Sequence, residues 1–421
     1  MSFTERQAGS RNRTATEITL RELLSDRSFA LYLVGQTTSR AGSALASIAL
    51  VFAVLSVSRS PSSVGLVLLA SRLPGIALTL AGGVIADRWS RQRIAICMDA
   101  VRAALQAVTG VLLIAAHVTV VLIVVLQLLA GAASAMFNPA AGALAATVAP
   151  RGQIRRAGSL LGITAAVAQT GGLALSGFIV AIAGPGASLM IDSATFAISS
   201  LTFVLISAQP TAGSQRASAL DQVRDGWREV AKRNWLITYT IHETVLNVLA
   251  LSPFFVLGPV IAEEHLGGAP AWSAIALGYV LGNLAAAHIT YHWAPRRPVL
   301  AALLVSIGLA PMLVLLGAGA PIWLIVPAAL LAGAQSTIYN TLITSTLQSN
   351  LPREMLGRAT AIAGLGSTIL VPIGMGLAGL AANAVGAPTV LIASGGIVLA
   401  LTAGCLVSPV TRRPLRLDLT G

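Results

Sequence analysis

The sequence contains little charge, almost no cysteine and a single lysine. Only 10% of its 421 residues are charged, whereas 55% are hydrophobic and the mean hydropathy is +0.81. Because about a quarter of the residues in a soluble domain are charged, this composition indicates an integral membrane protein. The two cysteines, Cys97 and Cys405, both lie in apolar runs, so the sequence predicts neither a disulfide framework nor a metal site.

Motifs of several other functional classes are also missing from the sequence. No Gly-x4-Gly-Lys-Ser/Thr loop is present, which excludes ATP-driven activity within this chain. The segment His242-Glu243-Thr244-Val245-Leu246 lacks the second histidine of a zinc-protease helix. The first 28 residues lack the apolar core of a removable signal peptide. We therefore expect no catalytic residue, no metal and no cofactor.

Long apolar runs predict an all-α membrane protein with twelve transmembrane helices. A spanning helix needs about 20 apolar residues. The runs here are continuously apolar over that length and do not alternate as barrel strands do. The predicted organisation is an N-terminal tail (1–28), an N-terminal six-helix half (29–207), a central loop (208–234), a C-terminal six-helix half (235–408) and a C-terminal tail (409–421).

Arginines predict the orientation in the membrane. They cluster in every second connection and at both termini, whereas the alternate connections contain only Arg59. The positive-inside rule then places both termini and the central loop in the cytoplasm of a bacterial inner-membrane protein. The net charge of +12 reflects this topology and attraction to membrane lipids. Nucleic-acid binding is not expected, because the basic residues are spread over short turns.

The chain carries an internal duplication. Residues 150–157 align without gaps to residues 352–359, and each octet follows the fourth predicted helix of its half. The charged turn at 87–93 has a weaker counterpart at 291–297 at nearly the same separation. Two such matches indicate parallel six-helix repeats, in which transporters bind their substrate between the halves. In the central loop, residues 218–233 have the periodicity of an amphipathic surface helix, with a solvated linker as the alternative.

The turn between the second and third apolar runs carries the most specific motif, Gly83-Val84-Ile85-Ala86-Asp87-Arg88-Trp89-Ser90-Arg91-Gln92-Arg93. It resembles the signature of the major facilitator superfamily, Gly-x-Leu-Ala-Asp-Arg-x-Gly-Arg-Arg/Lys. Ser90 stands in place of the second glycine, and Gln92 interrupts the basic run. Residues 26–29, 35–42, 137–140 and 192–196 are similar to the bacterial drug:proton antiporters that include macrolide-efflux and enterobactin-export proteins. The resemblance extends over essentially the whole chain.

The resemblance implies a gating role for this turn, with Gly83, Asp87, Arg88, Arg91 and Arg93 as the gating motif. Asp87 would accept hydrogen bonds from the N-terminus of helix 11, predicted near Arg358, and close the cytoplasmic side in the outward-facing state. Arg88 and Arg91 would bridge nearby acids or carbonyls. The alternative is a basic turn with a purely topological role.

Two other signatures of antiporters are weak in this chain. Gln127 occupies the position ahead of Gly131 at which drug exporters often carry an arginine in helix 4. The antiporter pattern in the fifth apolar run (158–183) lacks its proline, yet Ala168, Gly172 and Ser176 still form a face of small residues. Such a face predicts close packing against a neighbouring helix.

Ionisable residues within the predicted spans are functional candidates, because burying charge in lipid costs several kcal/mol. The candidates for proton or substrate binding are Arg40, Arg72, Asp99, Arg102, Asp192 and Glu243. Asp99 and Arg102 are three apart on one helix face and are expected to form a structural pair that extends the network of the charged turn. The alternative is a role in proton or substrate binding. Arg72 is assigned either a structural partner or a substrate contact.

The remaining ionisable residues each have competing interpretations. Asp192 is predicted near the outer end of the sixth apolar run (187–207), where contact with water or a local partner is the simpler expectation. Glu243 is the preferred proton carrier, because apolar surroundings favour the neutral form of a carboxyl group. His242 is adjacent in sequence and is expected to face another direction, and His288 is expected to be a packing residue.

The predicted function is secondary active export of a drug, antibiotic, siderophore or other metabolite by proton antiport with alternating access. The alternatives are uptake or lipid translocation by the same fold and, less favoured, a membrane enzyme or receptor. Arg40 predicts a neutral, zwitterionic or anionic substrate, since cation exporters favour acids in the membrane. The expected partners are a small-molecule substrate, protons and membrane lipids, and the protein is expected to act as a monomer.

Overall fold

The computed structural model describes residues 20–81, 90–150, 152–207, 233–293, 295–351 and 353–407, and these residues form α-helices joined by short connections. A short α-helix, Leu20–Ser25, precedes the first long helix. The long helices are α1 (Arg27–Val57), α2 (Pro61–Ala81), α3 (Arg91–Ile114), α4 (Val120–Val148), the kinked helix Ile154–Val204, α7 (Trp235–Leu266), α8 (Ala269–His292), α9 (Pro298–Gly317), α10 (Ile322–Asn350), α11 (Arg353–Val385) and α12 (Ala387–Val407). We label the parts of Ile154–Val204 before and after Gly184 α5 and α6.

The break between α5 and α6 follows from two adjacent residues. Gly184 has φ 77° and ψ 167°, a conformation open mainly to glycine, and Pro185 cannot donate the next helical hydrogen bond. The sequence predicts separate spans at 158–183 and 187–207, and the structure bends the chain between them. Another irregularity lies in α7, where Asn247–Leu251 and Ala262–Leu266 are π-helical turns. Such turns often mark functional segments of a helix.

Side chains cap the start of several helices. Asp26 accepts a hydrogen bond from the backbone N–H of Phe29 at the start of α1 (3.0 Å). Thr119 does the same for Leu122 at the start of α4 (3.3 Å). These contacts satisfy donors that the first turn of a helix leaves free, and each stabilises its helix by about 1 kcal/mol.

The hydrophobic core is divided differently at the two ends of the bundle. We call the end that carries residues 58–60 and Gly386 the arginine-poor end, and the opposite end the arginine-rich end. Near the arginine-poor end one continuous cluster includes Leu50 and Val54 of α1 together with Leu257, Trp272 and other residues of the second half. Two separate hydrophobic clusters lie at the arginine-rich end.

The two clusters at the arginine-rich end each belong to one half. The first contains Phe29, Phe137 and Phe203 of the N-terminal half. The second contains Leu236, Tyr339 and Leu347 of the C-terminal half. Among the described residues, the halves therefore share a core at one end of the bundle and have separate cores at the other.

The structure confirms the all-α membrane fold. Within the described ranges, nine helices are long and apolar enough to cross a membrane, and the kinked helix Ile154–Val204 is counted as one of them. Ile369–Val385 is a shorter apolar helix. The count of twelve spans stays a prediction. Helix α11 begins at Arg353, earlier than the sequence predicts. The central loop at 208–232 and the terminal residues 1–19 and 408–421 lie outside the described residues.

Candidate functional site: buried charges and the contact between halves

The two departures from the superfamily signature both have structural roles at the start of α3. Ser90 caps this helix, because its hydroxyl accepts a hydrogen bond from the N–H of Arg93 (3.3 Å). Gln92 donates to the carbonyls of Phe203 and Ile206 (2.7 Å each), which lie at the end of α6. The Phe203 carbonyl also accepts from the N–H of Ile206 (3.3 Å). The Gln92 amide therefore adds a second bond at Phe203 and joins the start of α3 to the end of α6. Gly83, Asp87 and Arg88 of the same motif lie outside the described residues.

An ion pair lies in the interior of the N-terminal half. Asp99 and Arg102 on α3 are in direct contact through Oδ1 and a guanidinium nitrogen. The guanidinium carbon of Arg102 also lies 3.9 Å from the ring centre of Phe137 and 4.1 Å from that of Phe196. Cation–π contacts of this kind are strongest where water is excluded. The ring pair therefore fixes Arg102 between α4 and α6.

A second acid joins this cluster from α6. Asp192 accepts a hydrogen bond from Nε2 of Gln106 on α3 (2.8 Å). Gln106 in turn accepts one from Nε2 of Gln127 on α4 (3.3 Å). Gln127 occupies the position at which the related exporters often carry an arginine. The structure links this position to Asp192 through two neutral amides.

All three charges of the cluster are shielded from solvent. The exposed fractions are 0% for Asp99, 6% for Arg102 and 1% for Asp192. Asp192 is therefore buried between helices and is not in contact with water. A local partner is present, because the Thr195 hydroxyl lies 3.4 Å from its Oδ1. Two carboxyl groups and one guanidinium share this buried site.

The C-terminal half contains a different cluster on α7 and α10. His242 is fully buried, and its Nδ1 lies 3.0 Å from the hydroxyl of Tyr339. The two rings stack with centres 5.6 Å apart. Glu243 is half-buried on another side of α7, near Tyr239. Its Oε2 is shielded from solvent and has no hydrogen-bond partner among the described residues. Glu243 therefore has one sheltered carboxyl oxygen within the C-terminal half.

Arg40 and Arg72, by contrast, have exposed side chains. Arg40 shares one face of α1 with Ser43 and Ser47, which are also exposed, whereas most of the rest of this helix is buried. A guanidinium at this depth is far more stable in a water-filled cavity than in lipid. This stripe of α1 is therefore suited to contact a polar solute. His288 on α8 is exposed and its ring lies 5.0 Å from that of His292.

The small residues of α5 pack against α1. Ala168, Gly172 and Ser176 are all buried, and the Ser176 hydroxyl donates to the carbonyl of Leu45 (2.7 Å). A Cβ on Gly172 would lie 2.8 Å from the Cβ of Ala44. This close approach leaves no room for a larger residue on that face of α5.

The halves meet through glycines and short polar side chains at the arginine-poor end. A Cβ on Gly379 of α11 would lie 2.6 Å from the carbonyl oxygen of Pro61, and one on Gly177 of α5 would lie 2.6 Å from that of Ala269. Asn383 at the end of α11 donates to the hydroxyls of Ser62 (2.8 Å) and Ser60 (3.1 Å). These contacts hold α2 against α11 and α5 against α8.

Sequence reasoning missed Gln106 and Asn383. Neither residue is ionisable, so neither stands out in an apolar span. A polar residue seven positions after Asp99 and four after Arg102 lies on the same helix face, and this spacing is the one signal that points to Gln106. Nothing in the local sequence connects Asn383 to residues more than three hundred positions earlier.

Comparison with known proteins agrees with this architecture. Residues 22–414 match the family described as transmembrane secretion effectors. The multidrug efflux pump Tap of Mycobacterium tuberculosis is 27% identical over 375 residues, which are 85% of this chain and 87% of that protein. Macrolide efflux protein A of Streptococcus pyogenes is 22% identical over 395 residues, which are 91% of this chain and 96% of that protein.

Solved structures show the same fold. A bacterial homologue of the iron transporter ferroportin in an inward-facing state has a TM-score of 0.71 at 14% identity, over 92% of this chain and 99% of that one. The nucleoside transporter NupG has a TM-score of 0.70 at 14% identity, over 89% of this chain and 98% of that one. The chain belongs to the transmembrane secretion effector family of the major facilitator superfamily and is a multi-pass membrane transporter.

Proposed function

We propose that this protein exports a small molecule across the bacterial inner membrane in exchange for protons, as a single chain that works by alternating access. The observation that carries the proposal is the division of the core, which is shared at the arginine-poor end and separate at the arginine-rich end. The positive-inside rule assigns the arginine-rich end to the cytoplasm. An exporter in this state is ready to receive substrate from the cytoplasm.

The relatives support the direction of transport. Both Tap and macrolide efflux protein A are efflux proteins by name, and each covers more than four fifths of this chain. Uptake and lipid translocation use the same fold, so the direction of net movement separates these functions. No described residue favours either of them over export.

The charged turn at 83–93 serves as the cytoplasmic gate in this scheme. When the arginine-rich end closes, Asp87 accepts hydrogen bonds from the exposed N–H groups at the start of α11, with Arg88, Arg91 and Arg93 pairing nearby acids or carbonyls. The backbone of α11 is helical from Arg353. Closing this end must also break the contacts at the arginine-poor end, since the halves move as units.

Arg40 bears on the class of substrate. Its exposed guanidinium and the hydroxyls of Ser43 and Ser47 form a polar stripe on α1. We propose that this stripe selects neutral, zwitterionic or anionic compounds. A test compares tetracycline, chloramphenicol, a macrolide and ethidium in a host strain that lacks its own efflux pumps. If only ethidium is exported and Arg40→Ala has no effect, this selectivity is wrong.

The proton-coupled mechanism is tested in proteoliposomes. We call the four test compounds named above the panel. An imposed proton gradient is expected to drive accumulation of an exported panel compound in vesicles in which the cytoplasmic face of the protein points outward. Glu243→Gln is expected to reduce this coupled accumulation at least tenfold, because the variant cannot release a proton. Glu264→Gln is the matched control, since Glu264 is exposed and lies near the arginine-poor end of the same helix. Equal accumulation of the compound with and without the proton gradient would contradict antiport.

A further inference from the structure

The cluster around Arg102 contains more acid than base. Asp99, Arg102 and Asp192 are buried together, and both acids act electrostatically on the same guanidinium. The other polar members, Gln106 and Gln127, are neutral. With both acids ionised the site would therefore carry a net charge of −1. An uncompensated charge in the interior costs several kcal/mol.

The geometry shows which of the two acids interacts more weakly with Arg102. Asp99 contacts the guanidinium directly and lies on the same helix. Asp192 is instead hydrogen-bonded by the Gln106 amide (2.8 Å), with the Thr195 hydroxyl 3.4 Å from its other oxygen. Asp192 is therefore the acid whose charge is balanced least.

We propose that Asp192 binds one exchangeable proton in the N-terminal half, and that Arg102 is a counter-ion shared between Asp99 and Asp192. This inference rests on the proposed proton-coupled function and gives it a proton site separate from Glu243. Proton binding converts the Asp192 carboxylate to a carboxylic acid and leaves Arg102 with Asp99. Proton release leaves both acids ionised around the single guanidinium.

The helices around Asp192 supply no other charge among the described residues that contact it. From α3, Arg102 and Asp99 act on it electrostatically. Helix α1 approaches with Gly42, where a Cβ would lie 2.7 Å from Oδ1 of Asp192. Helix α4 is connected only through the neutral Gln127 amide. Among the described residues, no group of three or more His, Cys, Asp or Glu side chains could hold a metal ion. A proton fits this site.

The two amides offer a way to transmit the protonation state to α4. At present Gln106 donates to Asp192 and accepts from Gln127. A protonated Asp192 is itself a donor, so it is matched by the amide oxygen of Gln106. A 180° rotation of both side-chain amides reverses the direction of both hydrogen bonds, because the oxygen and nitrogen ends of an amide have nearly the same shape. Protonation would thus reverse the hydrogen bond between α3 and α4.

Infrared difference spectroscopy tests the proton site directly, without any transported substrate. The full-length protein in lipid nanodiscs is titrated from high to low pH, and the carboxylic acid C=O stretch is recorded in unlabelled and ¹³C-aspartate protein. Because the chain contains other aspartates, we expect the band that shifts with aspartate labelling to lose one component in Asp192→Asn and to keep that component in Glu243→Gln. A labelled band of wild-type intensity in Asp192→Asn at every pH would overturn the proposal.

Asp99→Asn tests the shared counter-ion. This variant leaves Arg102 and Asp192 as a balanced pair, so the Asp192 band is expected only at lower pH than in the wild-type protein. An unchanged titration would overturn the sharing of Arg102. Failure of antiport is a separate result, since it is read from substrate movement in proteoliposomes. A normal Asp192 band without proton-driven transport would contradict the proposed function alone.

Discussion

The two halves connect their third and sixth helices in different ways. In the N-terminal half, α3 and α6 meet around Asp99, Arg102 and Asp192, all of them buried. In the C-terminal half, α9 and α12 meet through the hydroxyls of Ser306 and Thr402, 3.0 Å apart and equally buried. The same architecture thus accepts either a charged cluster or a neutral hydroxyl pair.

This difference shows that the fold does not require the charges. A buried ion pair contributes little net stability, because the desolvation of both groups offsets their attraction. The hydroxyl pair of the C-terminal half makes the connection at lower cost. We infer that the N-terminal charges are retained for coupling and not for packing.

The fourth helix of each half adds to the comparison. Phe137 on α4 lies against Arg102, and Tyr339 on α10 stacks on His242. Both halves therefore place an aromatic ring beside an ionisable side chain. The ring contacts a fixed cation in one half and a titratable imidazole in the other.

The comparison of halves has functional meaning only if they move relative to each other. A Ser62→Cys/Asn383→Cys pair, in a background with Cys97→Ala and Cys405→Ala, is expected to be cross-linked by a short bis-methanethiosulfonate reagent, since Oγ of Ser62 and Nδ2 of Asn383 are 2.8 Å apart. The cross-link should abolish efflux of the panel compounds completely, and a reductant should restore it. Either single cysteine is the control. Full transport by the cross-linked protein would show that this contact does not open.

The cost of breaking the charged and the neutral connection should differ. Arg102→Ala leaves two buried acids without a cation and is expected to lower the free energy of unfolding by about 3–5 kcal/mol. Ser306→Ala removes one hydrogen bond and should cost about 1 kcal/mol. Both are measured by SDS-induced unfolding of the purified protein in mixed micelles.

The double variant Asp99→Leu/Arg102→Met serves as the control for this prediction. It removes both charges together and should recover most of the stability lost in Arg102→Ala. Equal losses for Arg102→Ala and Ser306→Ala would mean that the two connections do the same work, and the inference about coupling would fail.

A smaller effect is expected where the halves touch through glycine. Gly177→Ala places a methyl group against Ser273 and 2.6 Å from the carbonyl oxygen of Ala269, which should disfavour the closed arginine-poor end by about 1–3 kcal/mol. The measurement is labelling of Ser62→Cys by a membrane-impermeant maleimide, which should accelerate. Gly171→Ala is the matched control, because its Cβ has nothing within 4 Å. Equal labelling rates in Gly177→Ala and Gly171→Ala would mean that the contact at Gly177 does not hold the arginine-poor end closed.

Much of the fold is predictable from local chemistry. Long apolar runs define membrane helices, and Gly184 with Pro185 separates two of them. The site is less predictable. The i,i+3 spacing predicts the contact of Asp99 with Arg102, but the partners of Asp192 come from α3 and, through Gln106, from α4. Gln127 is a departure from a family pattern in the sequence, and only its neighbours give it a role.

The sequence by itself determined the membrane class, the helical spans and the presence of charges within them, because hydropathy and helical periodicity are local properties. The tertiary structure decided which charges share a site and which end of the bundle joins the halves. Those outcomes depend on packing between residues far apart in the chain, as in the bonds from Asn383 to Ser62 and from Gln106 to Asp192. No local pattern encodes such a pairing, since it is set by the shape and polarity of the partner helix.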